Sequence, residues 1–79
     1  MTAKEIFKEL GYELIIKKKY LHYCDNKYEE TNIYFLYENK TLMITGEKEQ
    51  FNPPTAQEIW IDEFKAITQQ MKELGWLDD

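Results

Sequence analysis

The stretch from Ile59 to Leu77 constrains this chain most, because it has the pattern of an amphipathic helix that needs a partner. Four apolar residues recur at steps of three and four: Phe64, Ile67, Met71 and Leu74. That spacing places them on one side of a helix. Seven polar residues fill the opposite, solvent-facing side: Asp62, Glu63, Lys65, Gln69, Gln70, Lys72 and Glu73. A helix this short is marginal alone in water, so the rest of the chain must supply a surface for it.

Both ends of the chain carry the same helix-ending pattern. Lys8–Tyr12 and Lys72–Trp76 each read Lys-Glu-Leu-Gly followed by an aromatic residue. The pattern predicts a glycine in the left-handed conformation and an aromatic ring that packs back on the last turn. A capping box at Thr2–Glu5 predicts that a short N-terminal helix begins at Ala3 and ends near Leu10. We interpret the repeat as convergent capping and not as a duplicated domain.

Between the helices the period changes to two, which is typical of strands. The predicted strands are Tyr12–Ile16, Tyr20–Cys24, Asn32–Tyr37 and Thr41–Thr45. The predicted connections are a turn at Lys17–Lys19, a loop at Asp25–Glu30 and a hairpin turn at Glu38–Lys40 with Asn39 left-handed. The pattern therefore predicts an antiparallel meander of four strands.

The stretch after Gly46 is ambiguous. Gly46–Pro54 is a predicted loop that Pro53 and Pro54 keep extended. One interpretation starts the last helix near Thr55, where a second capping-box pattern occurs, and the periodicity slightly favours it. The rival interpretation makes Gln57–Ile59 a short edge strand and starts the helix near Ile61.

Composition limits the class of protein. The chain has 79 residues, 43% of them apolar, and a single cysteine, so we expect one domain spanning residues 1–79 without an internal disulfide. The net charge of −5 weighs against nonspecific nucleic-acid binding. The sequence has no apolar run of transmembrane length, and we expect no membrane partner and a cytoplasmic location.

Chemistry-bearing residues are sparse. His22 and Cys24 share one face of a predicted strand, but no second His or Cys exists to complete a zinc site. The chain has no serine and no glycine-rich phosphate loop. Glu29-Glu30 and Lys17–Lys19 are best interpreted as solvated loop and turn residues. We therefore expect no enzyme activity, no catalytic residues, no metal and no cofactor.

Apolar residues fall on both faces of the predicted sheet. The first face, expected to meet the two helices, comprises Leu14, Ile16, Leu21, Tyr23, Ile33, Phe35, Leu42 and Ile44. The second face still carries Ile15, Tyr20, His22, Tyr34, Leu36 and Met43. In an antiparallel sheet with one solvent-exposed face, apolar and polar residues should alternate more strictly along the strands. This second face is therefore the candidate interaction surface. Two explanations compete with this one. The short first helix covers part of the second face, or these are ordinary apolar residues scattered on the surface.

The two ends of the chain resemble small uncharacterised proteins encoded in phages, prophages and related mobile elements of Firmicutes. The resemblance is carried by Thr2–Tyr12, by Phe64–Ile67 and by Gln70–Trp76, about a third of the chain. It implies a strand that ends at the position of Ile59, and this favours the short-helix interpretation. Trp60 departs from the small polar N-cap that is usual in those proteins. The resemblance implies that the cytoplasmic location is in a bacterial host, and it supplies no catalytic residues.

The sequence therefore predicts an α+β domain in the order α-β-β-β-β-(β)-α, with four to five antiparallel strands packed by an N-terminal and a C-terminal helix. The leading functional hypothesis is a non-enzymatic protein-binding module of phage or prophage type. Its partner would be a second copy or a host protein whose activity it modulates. The alternative is single-stranded nucleic-acid binding through the sheet tyrosines, which requires a basic patch around Lys17–Lys19 beside Tyr20 and Tyr34.

Overall fold

A computed structural model describes residues 1–25, 31–46 and 59–77. Its elements are α1 (Ala3–Glu9), β1 (Tyr12–Ile16), β2 (Tyr20–Asp25), β3 (Thr31–Leu36), β4 (Thr41–Gly46) and α2 (Ile61–Glu73). The predicted α+β class and the order of two helices around four antiparallel strands are confirmed. The predicted loop residues 26–30 and 47–54, the alternative helix start at Thr55 and most of the predicted fifth strand lie outside the described residues.

The start of α1 follows from its capping box. The backbone N–H of Glu5 donates to the Thr2 hydroxyl at 3.2 Å, and the Glu5 carboxylate accepts from the Thr2 N–H at 2.8 Å. Two backbone donors that a helix leaves unpaired are thereby satisfied. Such capping matters in α1 because the helix has only seven residues.

Helix α2 begins at Ile61, with Trp60 as an extended N-cap at φ −75° and ψ 153°. The helix therefore does not continue back through Trp60, and the short-helix interpretation is right. Indole offers no acceptor for a helix N–H. Only the reverse half of a capping box forms, in which the Glu63 carboxylate accepts from the Trp60 N–H at 2.6 Å.

Both helices end as predicted. Gly11 has φ 92° and Gly75 has φ 76°, the region that glycine enters most easily. At the end of α2 the Gly75 N–H donates to the Lys72 carbonyl and the Trp76 N–H to the Met71 carbonyl, a Schellman motif. Tyr12 is buried and begins β1, and the Trp76 ring lies 6.3 Å from the Phe35 ring, measured between centroids.

The four strands form a meander in the order β1-β2-β3-β4, antiparallel throughout. The register aligns two rows on the first face, Leu14-Tyr23-Ile33-Ile44 and Ile16-Leu21-Phe35-Leu42. The eight residues predicted for the first face therefore share it. Ile16 and Leu42 lie at the two edges of the sheet and are exposed, since the helices pack over its middle.

The β3–β4 turn differs from the prediction in one residue. The residue with positive φ is Lys40, at 53°, and not Asn39. Leu36 pairs with Thr41, so four residues form the connection, and the Lys40 N–H reaches the Tyr37 carbonyl at 3.4 Å. In such loops the left-handed residue follows a type I turn, which places it one position later than in a two-residue hairpin.

Both helices pack on the first face. The Phe7 ring of α1 stacks on Tyr23 with ring centroids 3.8 Å apart and meets Tyr12 and Phe35 edge-on. Ala66 and Ile67 of α2 complete the buried core. The core is thus an aromatic cluster between one short helix and the middle of the sheet.

The predicted apolar stripe of α2 is partly wrong. The buried residues of α2 are Glu63, Ala66, Ile67 and Gln70, whereas Phe64 is 54% exposed. The helix is therefore rotated so that its small residue, Ala66, faces the sheet. Glu63 and Gln70, predicted to face solvent, instead find hydrogen-bond partners on the first face.

Candidate interaction face

All six residues predicted for the second face lie together on it. Four of them form a row across the whole sheet, Ile15-His22-Tyr34-Met43. Tyr20 and Leu36 pair with each other in the neighbouring row. The described helices pack on the other face, so no described helix covers this row. The second face is therefore a continuous band of aromatic and apolar side chains.

A polar row borders this band on its other side. It consists of Glu13, Cys24, Asn32 and Thr45, which are successive partners across the four strands. The second face therefore changes in character along the strands, from polar at the row of Glu13 to apolar at the row of Tyr20.

The aromatic side chains of the second face hold one another in place. His22 stacks on Tyr34 with ring centroids 4.2 Å apart and planes 13° apart, and Tyr20 meets Tyr34 edge-on at 5.7 Å. His22 Nε2 lies 2.7 Å from Asn32 Oδ1, which fixes the imidazole. Rings stacked between neighbouring strands stand upright on the sheet, so their edges point outward. Such mutual support suits a preorganised protein-binding surface.

Positive charge collects at one end of the sheet. The β1–β2 and β3–β4 turns meet there, because the Tyr37 N–H donates to the Lys19 carbonyl at 3.1 Å. Lys40 thereby joins Lys17–Lys19, and with Glu38 the two turns sum to a charge of +3. Tyr20 begins β2 immediately after this lysine end. The sequence pattern alone did not reveal the contribution of Lys40, because it depends on the meander.

The described residues at the opposite end of the sheet include Glu13 in β1 and Asp25 at the end of β2. The described ranges contain eight lysines and eight acidic residues, so the net charge of −5 belongs to the other residues.

His22 and Cys24 have no further metal ligands placed beside them among the residues that the structure describes. They share the second face, as predicted, and the His22 ring is engaged by Asn32 and Tyr34. Among residues 1–25, 31–46 and 59–77, no group of three or more His, Cys, Asp and Glu side chains is placed to hold a metal ion. Cys24 is partly buried in the polar row.

Sequence reasoning missed two polar contacts beneath α2. The Tyr12 hydroxyl donates to the Glu63 carboxylate, and the Tyr23 hydroxyl donates to Gln70 Oε1 at 2.5 Å. Every buried side-chain nitrogen and oxygen of the described residues has a partner. The signal was present in the sequence, since tyrosines in core positions need a polar partner and Glu63 and Gln70 lie two turns apart.

These contacts shift the ionisation of both phenols. Burial raises the pKa of Tyr12, and its hydrogen bond to the Glu63 carboxylate raises the pKa further. Burial raises the pKa of Tyr23 to about 12, with the neighbouring Glu73 carboxylate acting in the same direction. Both tyrosines are therefore neutral donors at physiological pH and serve the packing of α2 on the sheet.

A smaller apolar patch lies at the start of α2. Trp60 is 80% exposed, Ile61 is 70% exposed and Phe64 projects beside them. Trp60 therefore lies on the surface and not in the core. This patch is separate from the second face, because α2 packs on the first.

No family model, no curated protein and no solved structure matches this chain. Within the described part of the chain, no helix is long and apolar enough to cross a membrane.

Proposed function

We propose that this chain is a non-enzymatic protein-binding module that uses the second face of its sheet. The observation that carries this proposal is the row Ile15-His22-Tyr34-Met43, which crosses all four strands on the face opposite the helices. Aromatic residues and methionine are enriched in the cores of protein interfaces. A host protein, as the resemblance to phage-encoded proteins suggests, and a second copy are the two kinds of partner.

The polar rim supports this function. Glu13 and Thr45 end the polar row at the two edges of the sheet, and Thr41 closes the row of Tyr20 and Leu36. An apolar centre bordered by polar groups is the usual arrangement of a protein interface. Substitutions in the centre should therefore weaken binding most.

The test is Leu36→Asp, with Ile16→Asp as the matched control. Both replace an aliphatic residue of a strand with a carboxylate, but Ile16 is 72% exposed on the first face. We expect both variants to unfold cooperatively in thermal circular dichroism, and only Leu36→Asp to abolish association in light scattering or partner binding. If Leu36→Asp does not fold, the second face belongs to the protein's own core and the proposed function fails.

Single-stranded nucleic-acid binding is the second candidate. The lysine end favours it, because Lys40 joins Lys17–Lys19 beside Tyr20. The ring geometry weighs against it, because His22 and Tyr34 each cover one face of the other's ring and bases stack on free ring faces. Protein binding uses the same rings through their edges and is the better supported function.

A further inference from the structure

The lysine end is an exposed positive cluster. Its four members are Lys17, Lys18, Lys19 and Lys40, and all of them are exposed. Within the described part of the chain, none of their ammonium groups has a hydrogen-bond or ion-pair partner. With Glu38 counted, the two turns keep a charge of +3. A cluster of this kind attracts a negatively charged ligand.

Lys17 joins the lysine end to the second face. Its N–H donates to the Tyr20 carbonyl at 3.0 Å, which continues the pairing of β1 with β2 by one residue. Because side chains alternate along a strand, Lys17 shares the face of Ile15. Tyr20 pairs in turn with Leu36. Opposite side chains in a sheet have their Cβ atoms about 5 Å apart. A ligand with a carboxylate at Lys17 therefore places its neighbouring side chains on Tyr20 and Leu36.

We propose that the second face binds an acidic segment of another protein. Carboxylates of this segment meet the lysine end, and its apolar side chains cover the row of Tyr20 and Leu36. The inference rests on the proposed function and names the chemistry of the partner. Contact with the aromatic residues supplies most of the affinity, whereas the lysines attract the partner and fix its direction along the sheet.

The charge near the lysine end decides which ligand fits. Glu13 lies four residues before Lys17, which is about 13 Å along a strand. The Debye length at physiological salt is about 8 Å, so Glu13 weakens the attraction little. A second copy fits less well, because a two-fold interface uses the same patch twice. Among the described residues of the second face, only Glu13 is acidic, so this patch does not complement itself.

The probe that tests this inference is a fluorescein-labelled peptide in which glutamate alternates with leucine. We expect it to bind the wild type in fluorescence anisotropy, and to bind more weakly as salt is added. Two control peptides carry lysine in place of glutamate, or glycine in place of leucine. Each should bind about ten-fold more weakly, because the ligand needs both its charge and its apolar side chains. If either control binds as well as the probe, or if the probe does not bind, the inference is overturned.

Lys17→Glu and Lys65→Glu form a matched pair, because both lysines are exposed and both changes alter the net charge equally. We expect Lys17→Glu to weaken binding of the acidic peptide by roughly two- to five-fold, as exposed charge contacts do. Lys65→Glu, on α2, should leave it unchanged. Equal losses would mean that only net charge acts, and would overturn the inference. Amide NMR shifts should fall at Tyr20 and Leu36, and shifts confined to the patch around Trp60 would also overturn it.

Failure of this inference can be told apart from failure of the proposed function. A wild type that self-associates in light scattering, loses this association in Leu36→Asp and does not bind the acidic peptide supports the proposed function and overturns the inference. An unfolded Leu36→Asp overturns both, whereas a folded Leu36→Asp that still binds the peptide overturns the inference. An oligothymidylate that displaces the peptide and loses affinity in Lys17→Glu makes nucleic acid the ligand and overturns it as well.

Discussion

At the scale of single residues, the Glu63 carboxylate decides how α2 is placed. One oxygen accepts from the Trp60 N–H at 2.6 Å and the other accepts from the Tyr12 hydroxyl. Glu63 is only 7% exposed. A carboxylate so buried is tolerable only when its oxygens are satisfied. The same side chain therefore caps the helix and ties its first turn to β1.

We expect Tyr12→Phe to destabilise the protein by about 1.5–3 kcal/mol, because it removes a hydrogen bond to a buried charged group and keeps the ring. The measurement is the free energy of unfolding in urea. Tyr20→Phe is the control, since Tyr20 lies on the second face, away from the core, and this change should stay within about 0.5 kcal/mol. If Tyr12→Phe has the wild-type free energy of unfolding, the contact with Glu63 does not stabilise the protein.

The same phenols predict a loss of stability at high pH. An unfolded tyrosine ionises near pH 10, whereas the pKa of Tyr23 in the folded protein is about 12 and that of Tyr12 is also raised. Above about pH 10 the unfolded state loses protons that the folded state keeps, so the free energy of unfolding falls until the folded phenols ionise.

The check is urea denaturation at several pH values between 8 and roughly 12. The double variant Tyr12→Phe/Tyr23→Phe should show a flatter decline than the wild type, although it starts from a lower stability. Identical slopes for the two proteins would assign the alkaline loss to other groups.

At the scale of elements, the sequence predicted what depends on local signals and missed what depends on the rotation of a helix. The capping box at Thr2–Glu5 and the two Lys-Glu-Leu-Gly endings lie within a few residues, and all were correct. Strand positions followed from alternation to within one residue. The start of α2 at Ile61 was left open by periodicity, because Trp60 fits either an apolar helical stripe or an exposed cap.

The buried stripe of α2 shows why the rotation of this helix could not be predicted from the sequence. The hydrophobic pattern predicted that Phe64 lies on the buried side of the helix. The buried residues are instead Glu63, Ala66, Ile67 and Gln70. Two tyrosine hydroxyls of the sheet needed partners, and a small residue allowed the helix to sit on an aromatic core. Neither requirement is visible until the register of the sheet is known. For the candidate site, alternation predicted which residues share a face of the sheet. It could not predict that Lys40 lies beside Lys17–Lys19.

The rotation of α2 predicts a contrast between two substitutions. Ile67 is 1% exposed and Phe64 is 54% exposed. We expect Ile67→Ala to lower the free energy of unfolding by about 2–5 kcal/mol, because it leaves a cavity in the core. Phe64→Ala should cost less than about 1 kcal/mol. Urea denaturation of both variants is the measurement, and equal losses would mean that the original apolar stripe was correct.

At the scale of the whole molecule, both helices pack on one face of the sheet, and no described helix lies over the other face. The aromatic cluster around Phe7 and Tyr23 fills the space between the helices and the first face. The second face carries comparable side chains without a described helix over them. Because α1 is short and packs beside α2, the two helices together form a single layer on one side of the sheet.

The last prediction separates the two candidate functions. We expect a fluorescein-labelled oligothymidylate to bind more weakly than about 10⁻⁴ M at physiological salt, the weak end of nonspecific binding. The +3 charge of the lysine end attracts phosphates, but each ring of the stacked pair of His22 and Tyr34 has one face covered by the other ring. Tyr34→Ala should therefore leave fluorescence anisotropy unchanged, whereas it should weaken a protein complex that uses the second face. Tight binding that Tyr34→Ala abolishes and salt weakens steeply would make nucleic acid the ligand of this face. In that case the lysine end would serve to position phosphates.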